Sequence, residues 1–166
     1  MRYGELIETQ TGYALTFTRH LNHPPERVWR ALLEPDDLKA WFPTTIEGEQ
    51  RAGAPLTFTF HGGEADPVEG EMLAYDPPRL LEFSWGEGDT MRFELEPDGE
   101  GTTLTLINRF AERGKAARDA AGWHACLEAL RARLDGDAPA EEWADVHPRY
   151  VEAFPPEAST VGPPGA

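Results

Sequence analysis

Residues 122–130, GWHACLEAL, place a histidine and the only cysteine of the chain beside a tryptophan. A cysteine is activated as a nucleophile when a histidine within hydrogen-bond reach takes its proton. At about 100° per helical residue, however, His124 and Cys126 fall on opposite shoulders of the apolar stripe that contains Trp123. We therefore expect no Cys-His pair here. Cys126 is interpreted as a small buried apolar residue, and His124 either as a structural hydrogen-bond partner or as a ligand contact beneath the helix.

The other histidines and the glycine pairs form no recognisable catalytic or metal-binding motif. His20 and His23 are three residues apart, but they lie at a strand end and before two prolines, not on one helical face. His61 and His147 are isolated in the sequence, so we predict no metal site. The pair at residues 62–63 lacks the strand-to-helix context of a phosphate-binding loop. We therefore assign no cofactor and no catalytic residue.

Aromatic residues dominate the positions whose spacing points them inward. A curved sheet covered by a helix must fill its concave side with large side chains or enclose a cavity there. Two interpretations follow, a solid aromatic core and a pocket with a few polar groups that orient a ligand. The inward set is Trp41, Phe42, Phe58, Phe60, Phe83, Trp85, Phe93 and Trp123.

These rings must be positioned by a strand meander followed by a long helix. Period-two alternation predicts strands at residues 13–20, 56–60, 68–75, 81–85, 91–95 and 104–108, with short turns that make neighbours antiparallel. Prolines at 24–25 and 35 predict two short helices. From residue 114 the period becomes helical, and Asp135-Gly136 ends that helix. The fold class is therefore α+β, with one domain over residues 1–136.

The acidic tail over residues 137–166 forms a separate segment. Trp143, Val146, Tyr150 and Phe154 recur every three or four residues, which predicts a short amphipathic helix over 141–154. Beyond Pro156 we expect a flexible end.

Length and charge exclude several classes of function. The 166 residues suit one domain and carry a net charge of -15, which repels nucleic acid and acidic membranes. A basic cluster of Arg109, Arg113, Lys115 and Arg118 is interpreted as a solvated face. The single cysteine allows no internal disulfide, and the acidic N-terminal residues do not resemble a signal peptide, so we expect a cytoplasmic protein.

Four stretches, taken in order, resemble a known family. They are HPPERVWRALLEPDDLKAWFP, DPPRLLEFSWG, TTLTLINRF and GKAARDAAGWHACLEALRARLDG, within residues 13–136. They resemble the Activator of Hsp90 ATPase homologue 1-like branch of the START/Bet v 1 (SRPBCC) superfamily. The resemblance implies a helix-grip fold, in which a curved antiparallel sheet wraps around the long C-terminal helix and two short helices close one end.

Members of this superfamily commonly hold an apolar molecule between sheet and helix, so the resemblance favours a hydrophobic cavity over a solid core. We expect Asn108 and His124 to orient the ligand. The expected wall consists of Trp41, Phe58, Phe60, Phe83, Trp85, Met91, Phe93, Trp123 and Leu127.

The expected function is therefore binding of a small hydrophobic or aromatic molecule. Two alternatives stay open at this point. One is a cyclase or dehydratase activity of the kind found in the same superfamily, which requires a titratable group near His124. The other is a chaperone-regulating interaction or a homodimer, in which the stripe through Trp143, Tyr150 and Phe154 docks on a partner. The acidic surface and the lack of a chaperone docking motif argue against the Hsp90 partner.

Overall fold

The computed structural model describes residues 3–63 and 65–161 of the chain. Within these residues the main chain forms seven strands and four α-helices, with short 3₁₀ turns at Arg113–Lys115 and Pro156–Ala158. The bounds are β1 Glu5–Thr9, β2 Gly12–Leu21, α1 Pro25–Leu33, α2 Pro35–Trp41, β3 Pro55–Phe58, β4 Val68–Asp76, β5 Leu80–Trp85, β6 Asp89–Asp98, β7 Gly101–Phe110, α3 Ala116–Asp135 and α4 Trp143–Ala153.

The strands form one antiparallel sheet in the order β1-β2-β7-β6-β5-β4-β3. Alternate residues of β6, namely Met91, Phe93 and Leu95, are buried, as the period of two predicts. Strands β2 and β7 are neighbours, with Tyr13 opposite Phe110. The α+β class and the curved antiparallel sheet with a long C-terminal helix are confirmed.

Helix α3 packs on the sheet and ends where the sequence predicts. Leu127, Leu130 and Leu134 are buried. Gly136 follows with a φ of 76°, a left-handed conformation that favours glycine, and its amide donates to the carbonyl of Ala132. In the part of the chain that the structure describes, no helix combines the length and apolar character needed to cross a membrane.

The two short helices begin with prolines and are joined to α3 through one carboxylate. Pro25 and Pro35 occupy the first turns of α1 and α2, where the missing amide costs nothing. Asp37 of α2 is largely buried and accepts hydrogen bonds from Arg27 of α1 at 3.3 Å and from Arg133 of α3 at 2.8 Å. Burial opposes ionisation of Asp37, but the two guanidinium groups outweigh it and lower the pKa of the carboxyl.

We predict that Asp37→Asn lowers the free energy of unfolding by about 1.5–3 kcal/mol at pH 7, because charge-assisted hydrogen bonds are lost from a buried site. Since the pKa is lower in the folded state, the carboxylate contributes its full stability above about pH 3.9 and loses it as the pH falls through the folded-state pKa. Denaturant unfolding between pH 2 and 7 measures this. Asp36→Asn, at the exposed neighbour, is the control; equal losses in both variants would contradict the prediction.

The C-terminal segment folds back along α3. Val146 and Tyr150 of α4 are buried, so the aromatic stripe docks on its own chain. Farther on, the amide of Val161 donates to the carbonyl of Gly114 at 3.0 Å. Of the end expected to be flexible, residues 157–161 thus pack against the 3₁₀ turn at Arg113–Lys115, while residues 162–166 lie outside the described residues. The division of the chain at residue 136 stays a prediction.

Candidate functional site

The centre of the space between sheet and α3 is filled by aromatic rings in mutual contact. The ring of Phe83 lies 5.2 Å from Phe58 and 6.2 Å from Phe93, measured between centroids. The Trp41 ring lies 5.0 Å from Phe42, and its indole nitrogen donates to the carbonyl of Ala31 at 2.7 Å. The rings in these three pairs are tilted against each other by 34–60°, at centroid separations over which aromatic pairs attract.

Open space lies at one end of this core, beside the first half of α3. It is a pocket of about 400 Å³ that opens to solvent. The pocket is bordered by the segment after α2, the ends of β5 and β7, the start of β6, α3 and the start of α4. Its lining residues are Pro43, Phe60, Trp85, Asp89, Asn108, Lys115, Arg118, Asp119, Gly122, Trp123, Cys126 and Trp143.

The residues expected to contact a ligand therefore occupy three different places. Phe60, Trp85, Asn108 and Trp123 line the pocket. His124 faces α4. The remaining six are buried in the core: Trp41, Phe58, Phe83, Met91, Phe93 and Leu127.

Two indole side chains of the pocket are fixed by hydrogen bonds. Nε1 of Trp123 donates to Oδ1 of Asn108 at 3.2 Å, and Nδ2 of Asn108 donates to the carbonyl of Thr90 at 3.1 Å. Nε1 of Trp143 donates to the carbonyl of Arg118 at 3.1 Å. The Trp123 ring also stands nearly perpendicular to that of Trp85. The apolar walls are thus rigid, which lowers the entropic cost of binding.

The polar end of the pocket consists of two acids and two bases. Nζ of Lys115 lies 2.5 Å from Oδ2 of Asp89 and 3.7 Å from Oδ2 of Asp119. Nε of Arg118 lies 3.0 Å from Oδ1 of Asp119. Burial raises the pKa of Asp119, although both cations oppose that shift. Because the four charges are paired and sum to zero, this end favours a neutral ligand with hydrogen-bonding groups over an ion.

His124 is fully buried on the face of α3 that α4 covers. Its Nδ1 lies 2.8 Å from the hydroxyl oxygen of Tyr150, and its Nε2 lies 3.1 Å from Oε1 of Glu141. Both ring nitrogens are therefore engaged away from the pocket. Of the two interpretations of this residue, its contacts match the structural hydrogen-bond partner.

Cys126 borders the pocket with a protonated thiol. Burial raises its pKa to about 12, and a nucleophilic cysteine needs the thiolate. Within the described ranges, no group of three or more His, Cys, Asp or Glu side chains is placed to hold a metal ion. What the site offers chemically is an apolar surface with a paired, neutral polar end.

Comparison with known proteins places the chain in a family. The family of Activator of Hsp90 ATPase homolog 1-like proteins matches residues 22–135, more than half of the chain. The chain belongs to this family. The family match spans α1 to α3, so it includes most of the pocket walls but neither Trp143 nor the rest of α4. No curated protein sequence matches the chain.

Several solved structures share the fold of this chain. CalU16 from Micromonospora echinospora is 22% identical with a TM-score of 0.71, over 93% of this chain and 94% of that one. EF2215 from Enterococcus faecalis, a conserved protein of unknown function, is 21% identical with a TM-score of 0.75, over 90% and 89%. The protein encoded by gene BPP1335 from Bordetella parapertussis is 28% identical with a TM-score of 0.70, over 89% and 88%.

Sequence reasoning missed the polar end of the pocket and its outer wall. Lys115 and Arg118 stand in the cluster that was interpreted as a solvated face, yet they line the pocket with Asp89 and Asp119. Asp89 is far from them in sequence, so no local pattern predicts the pairing. Trp143 lies on the predicted amphipathic stripe, but no sequence pattern shows that this stripe packs on α3 beside the pocket.

Proposed function

We propose that this protein binds a small, neutral, apolar or aromatic molecule in the pocket beside α3. The observation that carries the proposal is the pocket itself, about 400 Å³ in size with Phe60, Trp85, Trp123 and Trp143 on its walls. Sites for small organic ligands are concave, mostly apolar, largely preformed and about 300–1,000 Å³ in volume. The pocket falls within that range.

The polar end supports the neutral character of the ligand. An ionic group that binds there must displace Lys115 from Asp89, or Arg118 from Asp119, and leave a charge without its partner in a partly desolvated place. A hydroxyl or carbonyl group only adds a hydrogen bond to those already present. The proposed ligand therefore carries such a group at one end of an apolar body.

Gly122 offers a direct test, because it lines the pocket with open space beside it. Outside its own helical turn, a Cβ atom built there comes within 4 Å of a single atom of the described residues, Cδ1 of Trp143 at 4.0 Å. We predict that Gly122→Ala stabilises α3 by about 1 kcal/mol and retains binding. Gly122→Leu places a branched side chain in the pocket, and we predict that it abolishes binding without loss of the fold.

Titration with the neutral fluorescent probe N-phenyl-1-naphthylamine measures binding in both variants, and thermal unfolding confirms that they fold. Undiminished binding by a folded Gly122→Leu protein would overturn the proposal. Native mass spectrometry of gently purified protein then identifies the natural ligand as a co-purifying molecule that denaturation releases.

A further inference from the structure

The buried hydrogen-bond network around His124 joins four segments of the chain. His124 belongs to α3, Tyr150 to α4 and Glu141 to the connection before α4. The amide of Gly4 in the N-terminal segment donates to the Tyr150 hydroxyl at 2.8 Å. His124 and Tyr150 both have 0% exposure, so solvent does not replace a hydrogen bond that is lost there.

This network fixes the protonation state of the imidazole. Because the Tyr150 oxygen accepts the Gly4 amide proton, its own proton is free to be donated to Nδ1 of His124. Nε2 must then carry the ring proton and donate it to the Glu141 carboxylate. Every donor in this hydrogen-bond network has an acceptor only while His124 is neutral. A second proton, on Nδ1, would face the Tyr150 hydroxyl and leave the hydroxyl proton without its acceptor.

Charged groups from several elements face His124. Glu141 comes from the connection before α4, Arg19 from β2, and Glu128 from α3 itself. Burial is the strongest influence and lowers the pKa of His124; Arg19 lowers it further, whereas Glu141 and Glu128 oppose the shift.

Two more polar side chains surround the network. The Tyr3 ring lies 5.3 Å from the His124 ring, between centroids. Arg149 of α4 hydrogen-bonds to Tyr3 and, at 3.2 Å, to Glu141. The Glu141 carboxylate is therefore shared between His124 and Arg149, so it is not reserved for an imidazolium ion.

The same helix carries one wall of the pocket. Trp143 is the first residue of α4 and lines the pocket, and its indole N–H donates to the carbonyl of Arg118. The connection before it, residues 136–142, is almost entirely exposed. Undocking of α4 would thus remove the outer wall, while the walls formed by Trp85 and Trp123 stay with the sheet and α3.

We propose that protonation of His124 releases α4 from α3 and removes the Trp143 wall, so that mild acid exposes the ligand pocket to solvent and weakens binding. This inference rests on the proposed function for its link to the ligand, but the movement of α4 does not. A histidine with a lower pKa in the docked state stabilises docking fully above about pH 6.5, and this contribution is lost as the pH falls.

The test is hydrogen exchange of full-length protein at pH 7.5 and 5.5, corrected for intrinsic rates, together with N-phenyl-1-naphthylamine titration at both values. We expect the protection of residues 143–153 to fall by up to about tenfold for one proton, and the probe affinity to fall in proportion to the fraction of protein in which α4 stays docked. In His124→Gln, which stays neutral, neither should change between the two pH values. His20→Gln, at an exposed histidine on β2, should behave as the wild type.

Three results separate the possibilities. A pH response that persists in His124→Gln overturns the proposal that protonation of His124 releases α4. A response that instead disappears in His147→Gln also overturns it, because His147 stacks on Trp143 at 4.2 Å and its pKa is lowered by burial. If the probe never binds, the proposed function fails, while the exchange data still decide whether His124 controls α4.

A measurement on the unmodified protein covers the case in which His124→Gln leaves α4 undocked at both pH values. NMR of the imidazole nitrogens should find the neutral ring protonated on Nε2 at pH 7.5. The backbone amides of α4 should then shift with the same midpoint as the His124 ring, below about pH 6.5. Separate midpoints would overturn the proposal.

Discussion

Replacing Phe83 with alanine should lower the free energy of unfolding by about 3–5 kcal/mol, the usual cost of removing a packed phenylalanine. The Phe83 side chain has no exposed surface and contacts the rings of Phe42, Phe58 and Phe93. Its removal takes away three ring contacts and leaves a cavity that such a packed neighbourhood fills only in part. Denaturant unfolding monitored by circular dichroism measures the loss.

Phe60→Ala is the matched control, because it removes the same side chain at the pocket, where Phe60 is half-buried. We expect the free energy of unfolding of this variant to fall by only about 1 kcal/mol, because the half-buried Phe60 ring has less apolar area shielded from solvent. Similar losses for the two variants would mean that the centre under α3 is not packed more tightly than the pocket, contrary to the ring contacts.

Replacing Trp123 with alanine should weaken the binding of N-phenyl-1-naphthylamine by about 10- to 100-fold. Loss of a buried aromatic contact corresponds to about 1.5–3 kcal/mol, and each 1.4 kcal/mol is tenfold in the dissociation constant. Trp123 stacks on Phe42 at 5.8 Å, and its indole N–H also orients the Asn108 amide. The substitution therefore removes a wall and frees the neighbouring polar group.

Trp123→Phe separates these two contributions. It keeps a ring stacked on Phe42 but loses the hydrogen bond to Asn108, so we expect most of the affinity to remain. Fluorescence titration gives the affinities, and thermal unfolding shows whether each variant is folded. A folded Trp123→Ala protein with unchanged affinity would place the ligand elsewhere.

The architecture could be predicted from the sequence because local patterns determine it. The alternation of Met91, Phe93 and Leu95 predicts which face of β6 is buried, and Gly136 predicts the end of α3. The family resemblance gave the order of sheet and helix. Each of these signals lies within a few residues of the feature it predicts.

The state of the interior could not be predicted in the same way. Periodicity shows that Phe58 and Phe83 point inward, but whether the rings touch depends on how their volumes fit in three dimensions. The same limit applies to Lys115 and Asp89, whose contact joins the 3₁₀ turn before α3 to β6. His124 illustrates a third limit, because its partners Tyr150 and Glu141 come from a segment whose docking place no pattern indicates.

The long-range pairing of β2 with β7 also affects how the protein is made. Residue 13 lies opposite residue 110, so on the ribosome the N-terminal hairpin emerges well before the strand that completes it. At about 5–20 residues per second this interval lasts roughly 5–20 s. During it, the apolar face of Leu15 and Phe17 lacks the neighbouring strand that covers the edge of β2 in the folded protein.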